Sequence, residues 1–70
     1  MNNSAISCGY AMKNLKGQYA GNGNTVNIVT ITGERVIKTI KSIQYAHIVN
    51  FTDNSKIHIS NIKDFRIVDQ

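Results

Sequence analysis

The feature that most constrains this chain is the density of β-branched side chains between residues 25 and 68, together with the absence of proline. β-Branched residues favour extended backbone, and proline is the residue that most often interrupts a β-ladder. Short polar segments containing Gly, Asn, Asp and Ser separate the apolar runs, and these residues favour tight turns. We therefore predict a series of short antiparallel strands joined by tight turns.

The first predicted strand covers residues 25–31 and is apolar on both faces. Val26 and Ile28 lie on one face, and Val29 and Ile31 lie on the other. A strand with two apolar faces is typical of a barrel wall or of a strand covered by a partner subunit. A turn containing Gly33 follows, because glycine adopts the positive φ that such turns require.

The second predicted strand runs from Arg35 to about Ile43. Its apolar positions change phase, and a bend or bulge near Lys38 explains the change. A helix is the competing interpretation, since Val36, Ile40 and Ile43 also fit a 3.6-residue period, but the β-branched content favours a strand. Three further strands are predicted over residues 46–52, 56–60 and 65–68, with a short turn that Ile62 plugs into the core.

A polar turn at residues 53–55 predicts a hairpin in which Phe51 opposes Ile57 and Val49 opposes Ile59. In that register His58 opposes Asn50, and His47 falls near Asn61. The two histidines then lie on opposite faces of the sheet. We therefore expect no shared metal site, and no residue spacing in the chain is typical of a metal or cofactor site.

Residues 1–20 fit neither period, so one short helix and one extra strand both remain open. Residues 21–24, Gly-Asn-Gly-Asn, are predicted to be a flexible linker. We thus divide the chain into an N-terminal segment over residues 1–24 and a barrel over residues 25–70, which form a single domain overall.

The chain has 70 residues, and its formal net charge is +4. A core this small supplies only about 3–5 kcal/mol of stability, so small domains often need an additional staple, that is, a disulfide, a bound metal or oligomerisation. Cys8 is the sole cysteine, which excludes an intrachain disulfide and leaves oligomerisation as the favoured staple. The composition disfavours a stand-alone enzyme, a transporter and a disulfide scaffold. Because neither a membrane span nor a secretory signal is recognisable, we expect a cytoplasmic protein of a bacterium or a virus-infected cell.

The strand pattern over residues 25–68 resembles the Sm/LSm-like barrel, a family that includes the bacterial host-factor RNA chaperone. Val26-x-Ile28 followed by Gly33 resembles the first strand of that family and its turn. Residues 36–42 resemble the bent second strand, and residues 57–62 resemble the second sequence motif. The predicted fold class is therefore all-β, a small five-stranded antiparallel Sm-like or SH3-like barrel with room for one short N-terminal helix.

The resemblance implies a non-catalytic ring of about five to eight identical subunits that binds single-stranded RNA and needs no cofactor. Pore-side turns and a basic surface would contact the RNA. The RNA-binding residues that the resemblance implies are Tyr45, His47, Lys41, Ser60, Asn61 and Lys63. The subunit-interface residues that it implies, on the fourth and fifth strands, are Ile57, Ile59, Phe65 and Ile67.

A second hypothesis is an SH3-like protein-interaction module, virus-encoded in one version of it, that binds a protein partner and no nucleic acid. Its motivating feature is the doubly apolar strand at residues 25–31. An enzyme is the least supported reading, because no nucleophile motif, phosphate-binding loop or carboxylate pair is present in the sequence.

Overall fold

The computed structural model describes residues 6–8, 11–45 and 47–68, the first range by its backbone alone. These residues form an all-β fold, as the sequence predicts, and no α-helix occurs among them. No helix in this part of the chain is long and apolar enough to cross a membrane. The elements are β1 (Ile6–Cys8), β2 (Ala11–Lys13), β3 (Tyr19–Gly21), β4 (Thr25–Thr30), β5 (Arg35–Gln44), β6 (Ile48–Phe51), β7 (Lys56–His58), a 3₁₀ helix (Ile59–Asn61) and β8 (Ile62–Ile67).

The main sheet has five antiparallel strands in the order β7-β6-β5-β4-β8. Strands β7 and β8 are its two edges, yet only the 3₁₀ helix connects them. The Cα steps from His58 to Ile62 span at most about 15 Å, whereas the edges of a flat five-stranded sheet lie about 19 Å apart. The sheet is therefore strongly curled. No ladder joins β7 to β8 among the described residues, so the predicted barrel is not closed.

The concave side of the sheet forms the core. Val26 and Ile28 of β4 are fully buried, whereas Val29 is half-buried and Ile31 is 58% exposed. Within one chain, β4 therefore buries one of its two apolar faces. Ile62 is fully buried, as predicted, but it is the first residue of β8 and does not lie in a turn before the last strand. The other buried apolar residues are Met12, Ala20, Ile40, Ile43, Val49, Phe51 and Phe65.

Strand β5 bends three residues later than the sequence predicts. Lys38 pairs regularly with Val26, so no bulge lies there. Ile40 pairs with Phe51 and Ser42 pairs with Asn50, which leaves Lys41 as the extra residue of a bulge. The bulge lets Ile40 and Ile43 both face the core although an odd number of steps separates them.

The β6–β7 hairpin has a register different from the predicted one. The Phe51 N–H donates to the Ser55 carbonyl at 2.8 Å, and Val49 pairs with Ile57 rather than with Ile59. The loop still has three residues, but they are 52–54 instead of 53–55. Asn54 supplies the left-handed residue that ends such a loop, with a φ of 71°. Moving the loop by one residue moves every cross-strand partner by two.

The N-terminal region forms strands, which decides between the two predicted alternatives. Strands β1, β2 and β3 form a three-stranded antiparallel sheet, and Met12 and Ala20 join the common core. Residues 1–5, 9, 10, 69 and 70 and the side chains of β1, including that of Cys8, lie outside the described part. So does residue 46, at the predicted start of the third strand.

Residues 21–24 form a hydrogen-bonded turn, so their assignment as a flexible linker was wrong. Gly23 has a φ of 90°, and its N–H donates to the Ile40 carbonyl at 2.8 Å. The Ile40 N–H in turn donates to the Asn24 carbonyl at 2.9 Å. The glycine thus supplies the positive φ of this turn, and its role is not chain mobility.

Candidate functional site

The convex side of β5, β6 and β7 presents a continuous polar surface. Val49 and Phe51 of β6 face the core, so the alternate residues Ile48 and Asn50 face outward. Cross-strand pairing extends this surface in two rows, one through Ser42, Asn50 and Lys56 and one through Gln44, Ile48 and His58. We call this surface the outer face; it consists of Lys41, Ser42, Gln44, Ile48, Asn50, Lys56 and His58.

The bulge in β5 adds a cation to the outer face. Because Lys41 is the extra residue, it lies on the same side as Ser42 instead of alternating into the core. Lys41, Ser42 and Asn50 line an open groove with a volume of about 380 Å³. The groove ends at Asn54 and Ser55 of the β6–β7 loop. The sequence-predicted Lys41 therefore adjoins a polar groove.

The amide of Asn50 is held in a defined orientation at the centre of this surface. Its Nδ2 donates to the Ser42 hydroxyl at 3.3 Å and to the Gln44 Oε1 at 3.0 Å. Both amide protons are thereby used, which leaves the Asn50 Oδ1 available as an acceptor. The Nε2 of Gln44 and the hydroxyl proton of Ser42 remain available as donors.

Three exposed rings stand at one end of the outer face. The Tyr45 and His47 ring centroids are 6.1 Å apart, and those of His47 and His58 are 5.0 Å apart, with interplanar angles near 32°. Tyr45 is 77% exposed, and its φ of 54° is left-handed. A bulky residue in that conformation is strained, and such strain is concentrated at functional sites. We call Tyr45, His47 and His58 the ring cluster.

Ser60 fixes the orientation of the His58 ring. The Ser60 backbone N–H donates to the His58 Nδ1 at 3.2 Å, and the Ser60 hydroxyl lies 2.8 Å from the same nitrogen. His58 thereby caps the 3₁₀ helix that follows β7. Since Nδ1 accepts a backbone proton, the neutral ring carries its own proton on Nε2. That nitrogen has no hydrogen-bond partner among the described residues, so it can donate to an external ligand.

The structure corrects the predicted positions of the two histidines. His58 opposes Ile48 instead of Asn50, and the Ile59 N–H donates to the His47 carbonyl at 2.8 Å. The two rings therefore lie together rather than on opposite faces. The register shift brings His58 opposite Ile48 and so next to His47. His47 precedes β6, in a turn where its N–H donates to the Gln44 carbonyl, so strand alternation does not fix the side on which its ring lies. His58 was not among the predicted RNA-binding residues. The sequence signal that could have found it is Asn54, which favours the last position of the loop.

The other predicted RNA-binding residues are distributed over the two edges of the sheet. Ser60 touches the ring cluster through His58. Asn61 lies in the 3₁₀ helix, where its carbonyl accepts the Ile31 N–H at 3.0 Å and its own φ is not left-handed. Lys63 is the extra residue of a bulge in β8, the opposite edge strand. The structure thus brings Tyr45, His47 and Ser60 together, and places Lys63 elsewhere.

The predicted interface residues lie at or near the sheet edges. Ile57 in β7, Ile59 in the 3₁₀ helix and Ile67 in β8 are half-buried and pack against the core. Phe65 is 1% exposed, so its side chain belongs to the core of its own chain. The four predicted residues therefore differ in how much side chain they offer to a second subunit.

The two edges are covered to different extents. Beside Phe65, the β8 edge is covered by the β2–β3 turn: the Asn14 Nδ2 donates to the Phe65 carbonyl at 3.0 Å. The Leu15 N–H donates to the Asp64 carboxylate at 3.0 Å. At the β7 edge, the register turns the backbone groups of Lys56 and His58 away from β6.

One carboxylate, Asp53, lies in the β6–β7 loop, next to the groove residue Asn54. Hydrogen bonds from the Ser55 hydroxyl and then from the Ser55 backbone N–H lower the pKa of Asp53 from its ordinary 3.8 to about 2, and Lys38 contributes further. The Lys38 Nζ lies 3.2 Å from the Asp53 carboxylate and 2.6 Å from the Ser55 hydroxyl. Asp53 therefore stays ionised, with Lys38 as its ion-pair partner, and neither Glu34 nor Asp64 lies on the outer face.

No protein-family model, no curated protein and no solved structure matches the chain. The resemblance to the Sm-like family accordingly stays a prediction. Within the described ranges, no group of three or more His, Cys, Asp or Glu side chains is arranged to hold a metal ion. What the site offers chemically is flat exposed rings, oriented amide and hydroxyl groups, and two lysines.

Proposed function

We propose that this protein binds single-stranded RNA, without catalysis, through the ring cluster and the outer face. The observation that carries the proposal is the juxtaposition of three exposed rings with a lysine-bearing surface. Rings of Tyr and His stack on bases, and lysines neutralise backbone phosphates. The formal net charge of +4 favours the approach of a polyanion.

The arrangement suits a strand whose bases are unpaired. The rings lie at the end of strands β5–β7. An RNA base can therefore stack on Tyr45 while the RNA backbone continues across the groove beside Lys41. The Nε2–H of His58 and the free groups of Gln44 and Asn50 can then bond to base edges, which are accessible in single-stranded RNA. One stacked base is worth about 1–3 kcal/mol, so the ring cluster can contribute a measurable part of the affinity.

The test of the rings is a fluorescence anisotropy titration with U-rich and A-rich RNA at low salt. Tyr45→Gly removes the ring and also relieves the left-handed strain, so a loss of binding in this variant is not a loss of folding. We expect its affinity to fall about 5- to 100-fold. Tyr19→Ala is the matched control, because Tyr19 is a 53% exposed tyrosine on β3, outside the outer face. Equal losses in the two variants, or flat titration curves for the wild type at tens of micromolar protein, contradict the proposal.

The test of the cations is the salt dependence of the same titration. If Lys41 and Lys56 each contact a phosphate, replacing either by glutamine reduces the slope of log K against log salt by about one. Lys16→Gln is the control, since Lys16 lies in the β2–β3 turn and is exposed. If the slope of log K against log salt changes equally in all three variants, the lysines act only through the net charge of the chain. That result contradicts specific phosphate contacts of Lys41 and Lys56.

The proposal includes the self-association that the family resemblance implies. A ring needs the β7 edge of one copy to pair with the β8 edge of the next, which places Ile57, Ile59 and Ile67 at the contact. The β7 edge is available for this, whereas the Asn14 and Leu15 contacts cover part of the β8 edge. Native mass by light scattering tests this part: about five to eight subunits supports the ring. A stable monomer removes the ring and leaves RNA binding by the outer face to be judged by the titrations.

An interaction module is the second candidate, and one observation favours it. Ile37 is 64% exposed and Leu15 is 61% exposed, although both are large and apolar. A monomer that ignores RNA and recovers one specific protein in a pull-down would support this function over the first.

A further inference from the structure

A second charged surface lies on the convex side of β4, away from the ring cluster. Ile28 of β4 faces the core, so Asn27 and Val29 face outward. Arg35 of β5 pairs with Val29 on one side, and Arg66 of β8 pairs with Asn27 on the other. Two arginines therefore flank the middle of β4 from its two neighbouring strands.

These side chains line one cavity. Asn27, Arg35 and Arg66 are among the residues around an open space of about 180 Å³. Arg35 and Arg66 are offset by two residues along β4, so their Cα atoms lie about 12 Å apart, which is within the combined length of two arginine side chains. The cavity is thus placed where both guanidinium groups reach.

Neither arginine has a carboxylate partner in the part of the chain that the structure describes. The ion pair found among the described residues joins Lys38 to Asp53, and neither of them lines this cavity. Asp64 lines the same cavity, but its carboxylate accepts the Leu15 N–H at 3.0 Å and holds the β2–β3 turn. The cavity is therefore lined by two arginines, neither with a carboxylate partner in the described part of the chain, and by one carboxylate, which gives a net formal charge of +1.

We propose that Arg35 and Arg66 bind a phosphate group above Asn27. The planar guanidinium presents two parallel N–H donors that match a phosphate, and the Asn27 amide adds a further donor between them. The site is separate from the outer face, so the proposal goes beyond the function proposed above. The phosphate can belong to a small molecule or to a nucleic-acid backbone.

The test is a ¹⁵N NMR titration of the full chain with inorganic phosphate, with chloride at the same ionic strength as the reference. We expect saturable shifts at Asn27, Arg35 and Arg66, with a dissociation constant on the order of millimolar. R35Q and R66Q should each weaken binding about tenfold or more. K13Q removes an exposed charge on β2, where the Lys13 Nζ lies over the Tyr19 ring and outside the cavity lining, and should leave phosphate binding unchanged.

Linear shifts that chloride reproduces, or wild-type binding in both R35Q and R66Q, would overturn the proposal. R66K is a second variant that keeps the charge and loses the paired donors. If R66K binds phosphate as the wild type does, general charge explains the effect and the arginine site is refuted.

RNA titrations of the same variants identify the source of the phosphate. If R35Q and R66Q also lower the RNA affinity and its salt slope, the site holds a backbone phosphate. If RNA binding is unchanged, the ligand is a small phosphate compound. Y45G separates the two proposals: phosphate binding that survives in Y45G, or in a wild type that binds no RNA, supports this site even where the proposed function fails.

Discussion

Asn14 is the polar side chain on which the docking of the N-terminal sheet depends. It is 4% exposed, and it is the buried polar residue of the described core. Its Nδ2 donates to Gln18 Oε1 at 2.9 Å and, across 51 residues of chain, to the Phe65 carbonyl at 3.0 Å. Its Oδ1 accepts from the backbone N–H groups of Lys16 at 3.0 Å and Gln18 at 2.8 Å. One side chain therefore both builds the β2–β3 turn and attaches it to β8.

Asn14→Ala removes these four side-chain hydrogen bonds at a buried position. At a net 0.5–1.5 kcal/mol each, the loss is about 2–6 kcal/mol of unfolding free energy. The core of a domain of this size supplies only about 3–5 kcal/mol of unfolding free energy, so we expect the variant to be partly unfolded at 25 °C. Asn14→Asp keeps the acceptor for the Lys16 and Gln18 backbone N–H groups and loses both bonds that the Nδ2 donates, to Phe65 and to Gln18 Oε1. We expect it to cost about 1–3 kcal/mol.

The assay is urea unfolding followed by circular dichroism, with ΔG taken from the midpoint and slope. Asn22→Ala is the control, because Asn22 is exposed in the turn after β3 and should change ΔG by less than about 0.5 kcal/mol. If Asn14→Ala lies within that same margin of the wild type, the buried hydrogen bonds do not hold the N-terminal sheet. If Asn14→Asp matches the wild type, the bond to Phe65 is not the attachment.

Three further predictions concern single positions. Ile62→Val removes one methylene from a fully buried site and should cost about 0.5–1.5 kcal/mol in the same urea assay. Gly33→Ala should cost about 1–2 kcal/mol by urea unfolding, because φ is 91° while open space surrounds the added Cβ, so the backbone conformation is the sole penalty. The lowered pKa of Asp53 stabilises the fold above pH 3.8, and this contribution is lost as pH falls to about 2. The difference in Tm between wild type and Asp53→Asn should therefore narrow over that range; a difference that stays constant from pH 5 to pH 2 would contradict the assignment.

Much of the strand assignment follows from local sequence. The β-branched runs predict β4, β5 and β6 closely, and alternation correctly identifies Val49 and Phe51 as core residues. Gly33 has the positive φ predicted for its turn. These features depend on neighbours within a few residues, so a sequence pattern contains the information that determines them.

The candidate site is less predictable because it depends on register. A shift of two residues keeps every side chain on the same face, so Val49 has an apolar cross-strand partner whether it pairs with Ile57 or with Ile59. Hydrophobic pattern therefore cannot choose between them, and the conformation of Asn54 in the loop decides. That choice brings His58 beside His47 and creates the ring cluster.

Local preference alone determined that this chain forms short antiparallel strands with one inward apolar face each. The tertiary structure decided where residues distant in sequence meet: Asn14 bonds to Phe65 and Gly23 bonds to Ile40. It also placed Arg35 and Arg66 around one cavity beside β4. The physical reason is that β-branching and alternation act on each strand separately, whereas bulges at Lys41 and Lys63 and the curl of the sheet arise only when strands are packed against one another.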